Sequence, residues 1–157
     1  MIQIMSNRNR FESITIASTP EKLYSMISDV TRMGEWSPVC KECWWEDDSR
    51  GVGAWFVGRN VTENNTWETR SKVVADSPNE EFAFAVNGDR TRWGYTFVPS
   101  ENGTVVTESW TILPAAEPGY VEKFGDRVEQ ELEVRADGAS AGMRETLSNL
   151  KRVAEAN

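Results

Sequence analysis

TRWGYTFVPSENGTVVTESWTIL runs from Thr91 to Leu113 and decides the reading of the whole chain. It holds two runs rich in Thr, Val, Trp and Tyr, Thr91–Pro99 and Thr104–Leu113, parted by Ser100-Glu101-Asn102-Gly103. An Asn-Gly step between two such runs is a hairpin signal. Within them Trp93, Tyr95 and Phe97 share one face, as do Val106, Glu108, Trp110 and Ile112. A period of two with large apolar members is that of a strand with one buried face.

Upstream the same pattern recurs in Val39–Trp45, Ala54–Thr62, Thr66–Asp76 and Glu81–Val86. The breakers between them, such as Glu63-Asn64-Asn65, Ser77-Pro78-Asn79 and Asn87-Gly88-Asp89, are too short for anything but an antiparallel meander. Further back, Arg10–Ala17 alternates, with Phe11, Ser13 and Thr15 opposite Glu12, Ile14 and Ile16. Ser18-Thr19-Pro20-Glu21 then supplies a cap, a preorganised first turn and a negative charge for the positive end of a helix. A second short helix over Thr31–Gly34 leads into Trp36-Ser37-Pro38. Downstream, from Glu117, Val121, Phe124, Val128 and Leu132 and then Ala139, Met143, Leu147, Leu150 and Ala154 form a helical stripe. One unbroken helix over that stretch would be ~60 Å long. A break is therefore expected near Gly125–Asp126 or near Gly138, with the main helix running to about Ala156. The fold class is α+β: a curved seven-stranded antiparallel sheet wrapped around a long C-terminal helix, with two short helices after the first strand. A curved sheet cannot touch a straight helix across its full width, so a cavity is expected between them.

Composition narrows the chemistry. The length of 157 residues suits one domain over 1–157, and 39% hydrophobic residues are enough for a core. No window suits a membrane span, and Met1–Arg10 lacks a signal-peptide apolar core. A net charge of −8 opposes nucleic-acid and anionic-membrane binding. The chain has no histidine, which excludes the usual nucleophilic triads and most zinc hydrolase sites. With only Cys40 and Cys43 there is no disulfide framework, and a cytoplasmic location is expected. Seven tryptophans are many for this length, and so many rings must fill a thick core or line a cavity.

Several segments resemble the START-like, helix-grip superfamily, in particular its polyketide cyclase/dehydrase and lipid-transport type. They are Val30-Thr31-Arg32-Met33-Gly34-Glu35-Trp36-Ser37-Pro38, Gly53-Ala54-Trp55-Phe56-Val57-Gly58-Arg59-Asn60, Trp93-Gly94-Tyr95-Thr96-Phe97 and Val106-Thr107-Glu108-Ser109-Trp110. The resemblance runs from about Phe11 to Ala156 and implies the helix-grip fold. It leaves activity open, because the superfamily holds carriers, receptors and cyclases on one scaffold.

The expected ligand-binding set follows from strand faces and the resemblance: Trp36, Phe56, Asn60, Trp67, Thr69, Phe84, Trp93, Tyr95, Glu108, Trp110 and Met143. Trp36 is read as a gate near the cavity entrance or as a plug of the core. Glu108 is the sharpest residue: a carboxylate on an apolar face has its pKa raised by desolvation and can serve as an acid or base. Its alternatives are pairing with Arg92 or Arg144, or an outward position if the register slips. Cys40-x-x-Cys43 invites a zinc or redox reading, and neither is expected: zinc lacks its further ligands, redox motifs of this spacing open a helix in a different fold, and residues three apart at a strand start point to opposite faces. The acidic run Glu42, Glu46, Asp47, Asp48 and the charged helix face around Lys123–Arg135 read as solvated. Three readings follow: a binding protein for a small hydrophobic or aromatic ligand, such as a lipid or polyketide, an aromatase/cyclase-like enzyme using Glu108 with Tyr95 and Asn60, or a scaffold without a ligand. No cofactor and no metal are expected, and the partner expected is a small hydrophobic molecule.

Overall fold

The computed structural model describes residues 8–156, so Met1–Asn7 of the leader reading lie outside it. Seven strands run β1 (Asn9–Ile16), β2 (Cys40–Trp45), β3 (Trp55–Val61), β4 (Thr66–Ser77), β5 (Glu81–Val86), β6 (Thr91–Ser100) and β7 (Gly103–Ile112). They form one antiparallel sheet in the order β1-β7-β6-β5-β4-β3-β2. From β2 onward it is the expected meander. β1 joins at the far edge, against β7, so the chain between β1 and β2 must cross the whole sheet. Helix α1 (Pro20–Ser28) and a 3-10 segment (Val30–Glu35) make that crossing. The cap works as the sequence suggests: Lys22 N–H donates to Thr19 Oγ1 at 3.1 Å, and Pro20 opens the helix. Leu23, Met26 and Ile27 turn inward, as does Val30 beyond them.

On β1, β3 and β7 burial follows the alternation, whereas β5 is buried on both faces and β2 departs from it. β7 alternates half-buried and buried along its length, with Val106, Glu108, Trp110 and Ile112 inside. On β1 it is Glu12, Ile14 and Ile16 that turn in, while Phe11 stays 68% exposed. The register with β3 shifts between Cys40 and Glu42, and that with β5 shifts between Val73 and Ala75. Such bulges bend a strand and increase its twist, which is how this sheet curves.

The C-terminal region divides into α2 (Glu117–Phe124), a 3-10 turn (Gly125–Arg127) and α3 (Val128–Glu155). Of the two expected break sites, only the first is used. Gly125 sits at φ 51, a left-handed conformation that ends α2. Gly138 lies inside the unbroken α3, since a single glycine in a helix costs only about 1 kcal/mol against Ala. One row of α3, Leu132, Ala136, Ala139, Met143, Leu147 and Leu150, is buried. The helix packs mainly on β1 and β7, at one side of the sheet.

Two glycines mark opposite packing environments. A Cβ on Gly34 would fall 2.2 Å from the Lys41 carbonyl oxygen, so the 3-10 segment can approach β2 only because that side chain is missing. A Cβ on Gly138 would meet nothing within 4 Å. Gly34→Ala is therefore expected to lower the unfolding free energy by roughly 2–4 kcal/mol, because the clash is with backbone. Gly138→Ala is expected to raise it by roughly 0.5–1 kcal/mol. Urea denaturation of both variants checks the pair, and equal effects would contradict the packing described.

Candidate functional site

Next to the buried row on α3 runs a second row, Gly138, Gly142 and Thr146, with no bulk to offer. A Cβ on Gly142, like one on Gly138, would meet nothing within 4 Å. Where α3 passes over β3–β6 it therefore leaves a space. The result is a cavity of about 470 Å³ between helix and sheet, within the size range of small-molecule sites.

Successive strands supply its wall. β3 gives Phe56, Gly58 and Asn60; β4 gives Trp67, Thr69 and Ser71; β5 gives Phe84 and Val86. β6 gives Trp93 and Tyr95, and β7 gives Glu108 and Trp110. The rings are ordered by register: Phe84 is opposite Trp93, and Trp93 is opposite Trp110. Phe56 and Phe84 meet edge to face at 5.1 Å between centroids, and Trp45 meets Phe56 at 5.7 Å. Trp67 is 39% exposed and lies where the cavity reaches solvent, with Val39 and Arg135 also at its margin.

Of the expected site residues, Phe56, Asn60, Trp67, Thr69, Phe84, Trp93, Tyr95, Glu108 and Trp110 line this cavity. Trp36 and Met143 do not, and both are corrections. Trp36 is 2% exposed and packed in the core that includes Leu147 and Leu150, where Asn149 Nδ2 donates to its carbonyl oxygen at 3.1 Å. It plugs the core rather than gating the cavity. Met143 belongs to the buried row with Leu132 and Ala139, against Trp110 and Ile112. One residue is about 100° of helix rotation, so its neighbour Gly142 faces the space that Met143 does not. The tryptophan excess also divides: Trp67, Trp93 and Trp110 line the cavity, whereas Trp55 lies beneath the Arg70 guanidinium at 3.7 Å.

The polar groups within the wall are few. Asn60 Nδ2 donates to Thr69 Oγ1 at 3.1 Å, so these two largely satisfy each other. Tyr95 and Glu108 are direct cross-strand partners, and the Tyr95 hydroxyl donates to Glu108 Oε2 at 2.9 Å. Glu108 is 3% exposed, and among the described residues its Oε1 has no hydrogen-bond partner. Desolvation pushes its pKa up to about 8, against the smaller opposing effect of the Tyr95 hydrogen bond. Burial raises the Tyr95 phenol in turn, and the neighbouring Glu108 adds to that. The basic residues considered as partners go elsewhere: Arg92 pairs with Glu81 and Arg144 with Glu12, each at 3.2 Å. Glu108 is thus a neutral acid at pH 7, with one oxygen unused inside an aromatic cavity.

The sequence reading missed several lining residues. Gly138 and Gly142 are an i, i+4 pair of side-chain-free positions in the sequence, one turn apart on the same helix face. The larger miss is the cysteine pair. The shift in register at the start of β2 turns both thiols to the cavity, with Sγ atoms 3.0 Å apart. Among the described residues no three of His, Cys, Asp and Glu cluster as metal ligands.

Comparison with known proteins agrees with this architecture. Residues 11–155 match the family described as polyketide cyclase/dehydrase and lipid transport. The solution structure of the polyketide-cyclase-like protein Cgl2372 from Corynebacterium glutamicum is 44% identical, with a TM-score of 0.70, covering 94% of this chain and 91% of that one. The di-domain aromatase/cyclase StfQ of the steffimycin biosynthetic pathway gives a TM-score of 0.73 at 18% identity, covering 95% of this chain and 51% of that one. Protein SA2116 from Staphylococcus aureus, of unknown function, gives 0.69 at 12% identity, covering 94% of this chain and 93% of that one. The last two likenesses concern the fold alone. A comparison with curated proteins finds no match. With its sheet, its long C-terminal helix and a family match over residues 11–155, this chain belongs to the polyketide cyclase/dehydrase and lipid transport family.

Proposed function

We propose that the protein binds one small, neutral, largely aromatic or aliphatic molecule in the cavity under α3, oriented by a polar oxygen on that molecule. The observation that carries this reading is Glu108 Oε1, without a partner among the described residues, in a largely aromatic wall. A neutral carboxyl group offers one O–H donor. A ligand carbonyl or hydroxyl would satisfy it, whereas a ligand carboxylate would bring charge to a site already too dry for its own. Lipids and polyketides both supply such oxygens, and the family description names both kinds of chemistry. No described helix is long and apolar enough to cross a membrane. Two free buried thiols fit a cytoplasmic setting.

A second reading has its own observation. An acid of pKa about 8, held in place by Tyr95, is matched to protonating a ketone near neutral pH, as a cyclase would require. The two readings part at Glu108→Gln. Under binding alone, the variant keeps an apolar dye and changes its preference among ligand oxygens. Under catalysis, it keeps affinity for a poly-β-ketone and loses turnover about a hundredfold or more.

The binding reading makes Gly142→Leu informative, because the new side chain would enter empty space while a better helix former replaces glycine. Binding of a solvatochromic apolar dye, followed by quenching of tryptophan fluorescence, is expected to weaken about tenfold or more as the cavity fills. Unchanged dye binding with an intact fold would place the dye site elsewhere. Native mass spectrometry of freshly purified protein provides a second check, with a co-purifying hydrophobic molecule as the expected result.

Burial of Glu108 also fixes a pH dependence. Its folded pKa, about 8, lies above the ordinary 4.5. The folded state therefore binds the proton more tightly than the unfolded state. That contribution is fully present below pH 4.5 and is lost as pH rises to about 8. Glu108→Gln removes it. The stability of the variant relative to wild type is expected to rise by a few kcal/mol across that window and to be flat above it. Parallel urea titrations from acid to mildly alkaline pH measure the difference, and a flat difference would mean that Glu108 is not buried as an acid.

A further inference from the structure

Cys40 and Cys43 occupy the same cavity wall but take no part in the binding reading. In a regular strand, residues three apart face opposite ways. Here Cys40 pairs with Asn60 while Glu42 pairs with Arg59, so Lys41 is the extra residue of a bulge. The bulge turns both thiols inward. Ser37 Oγ fixes its start by accepting from Cys40 N–H at 2.9 Å. Across the strand pair stands Gly58, where a Cβ would come within 3.1 Å of Cys40 Sγ and 3.3 Å of Cys43 Sγ. The room the two sulfurs share exists because that side chain is missing.

The two thiols are not equivalent. The hydrogen bond with Cys43 holds the Cys40 thiol below its ordinary pKa, and the same contact together with burial raises Cys43. Cys43 also lies 3.8 Å from Met33 Sδ. Two sulfurs 3.0 Å apart, one held below its ordinary pKa and the other raised above it, have the arrangement of an attacking and a resolving cysteine. Access runs along the cavity, whose lining includes Val39, next to Cys40 in sequence and 36% exposed.

We propose that Cys40 and Cys43 form a redox-active dithiol that reduces a small organic hydroperoxide entering the cavity and closes to a disulfide. The Cys40 thiolate attacks the distal peroxide oxygen, and the O–O bond breaks. The alkoxide leaves, takes up a proton and departs as the alcohol, with Cys40 as a sulfenic acid. Cys43 sulfur then attacks Cys40 sulfur, the S–O bond breaks, and the oxygen leaves as water with the thiol proton. Two thiols and one hydroperoxide become one disulfide, one alcohol and one water. The sulfurs need close only from 3.0 Å to the ~2.05 Å of a disulfide. This step needs the cavity as a route but no resident ligand.

The test uses the full chain, reduced and then freed of reductant, with one equivalent of tert-butyl hydroperoxide. Intact mass and thiol titration are expected to give a product lighter by two hydrogens, with no free thiol, restored by dithiothreitol. Cys43→Ser is expected to stop at a species heavier by one oxygen, trapped by dimedone at Cys40. Cys40→Ser is expected to react about tenfold or more slowly than wild type. Two free thiols after exposure of the wild type would overturn the proposal without any variant. Equal rates for the two serine variants would overturn the assigned roles. Unchanged dye binding by Gly142→Leu would count against the ligand reading and leave this result untouched.

Discussion

A straight helix laid on a curved sheet can touch it along one side only. Here α3 spends its bulk on β1 and β7, through Leu132, Ala136, Met143 and Leu147. It turns glycine and threonine to the rest of the sheet. Had Gly138 and Gly142 been leucines, the helix would have filled the space and the aromatic wall would be ordinary core. The sheet side makes the complementary choice: large rings on β3 to β7 stand around the void without bridging it. Packing at the two ends, the α1 core and the Trp110–Ile112 core, holds the void open between them.

That geometry sets the chemistry of Glu108, the acid in the cavity wall. Glu108 has been placed in the dry interior by strand alternation, and its cross-strand neighbours on the two sides differ. Tyr95 on β6 donates a hydrogen bond to it, while Glu12 on β1 is engaged by Arg144. With no cation paired to Glu108 among the described residues, desolvation outweighs the single hydrogen bond and holds the group's pKa up at about 8. A buried ion pair would have made the site a place for charge. A protonated carboxyl beside a phenol instead leaves the site without a net charge of its own.

How much of this was legible in the sequence depended on the period of the signal. The strands and their inward faces were readable because period-two alternation is local, and Phe84, Trp93, Tyr95, Glu108 and Trp110 all face the cavity as their positions require. The helix was read less well. A stripe with 3.6 residues per turn is broad, so the boundary between the row that packs and the row that faces space, Met143 against Gly142, falls between adjacent residues. Trp36 was ambiguous for another reason: it caps a 3-10 segment, where no periodicity says which way a ring turns.

The cysteines illustrate the opposite failure, in which a correct rule gave the wrong face. Alternation predicts that Cys40 and Cys43 diverge, and it fails only because Lys41 is bulged out of the β2–β3 ladder. A bulge is a matter of pairing between two strands, so one strand's sequence cannot show it. The partner strand held half the signal: Gly58, side-chain-free in a run otherwise dense with large residues, stands where two sulfurs need room. The other half lay in Gly34 and Ser37, which let the 3-10 segment press on the start of β2 and fix Cys40 N–H. Gly34 and Ser37, just ahead of β2, and Gly58 on β3 thus act together on the short stretch that carries the two thiols. Each alone reads as a turn or a gap, and it is the register that brings them together.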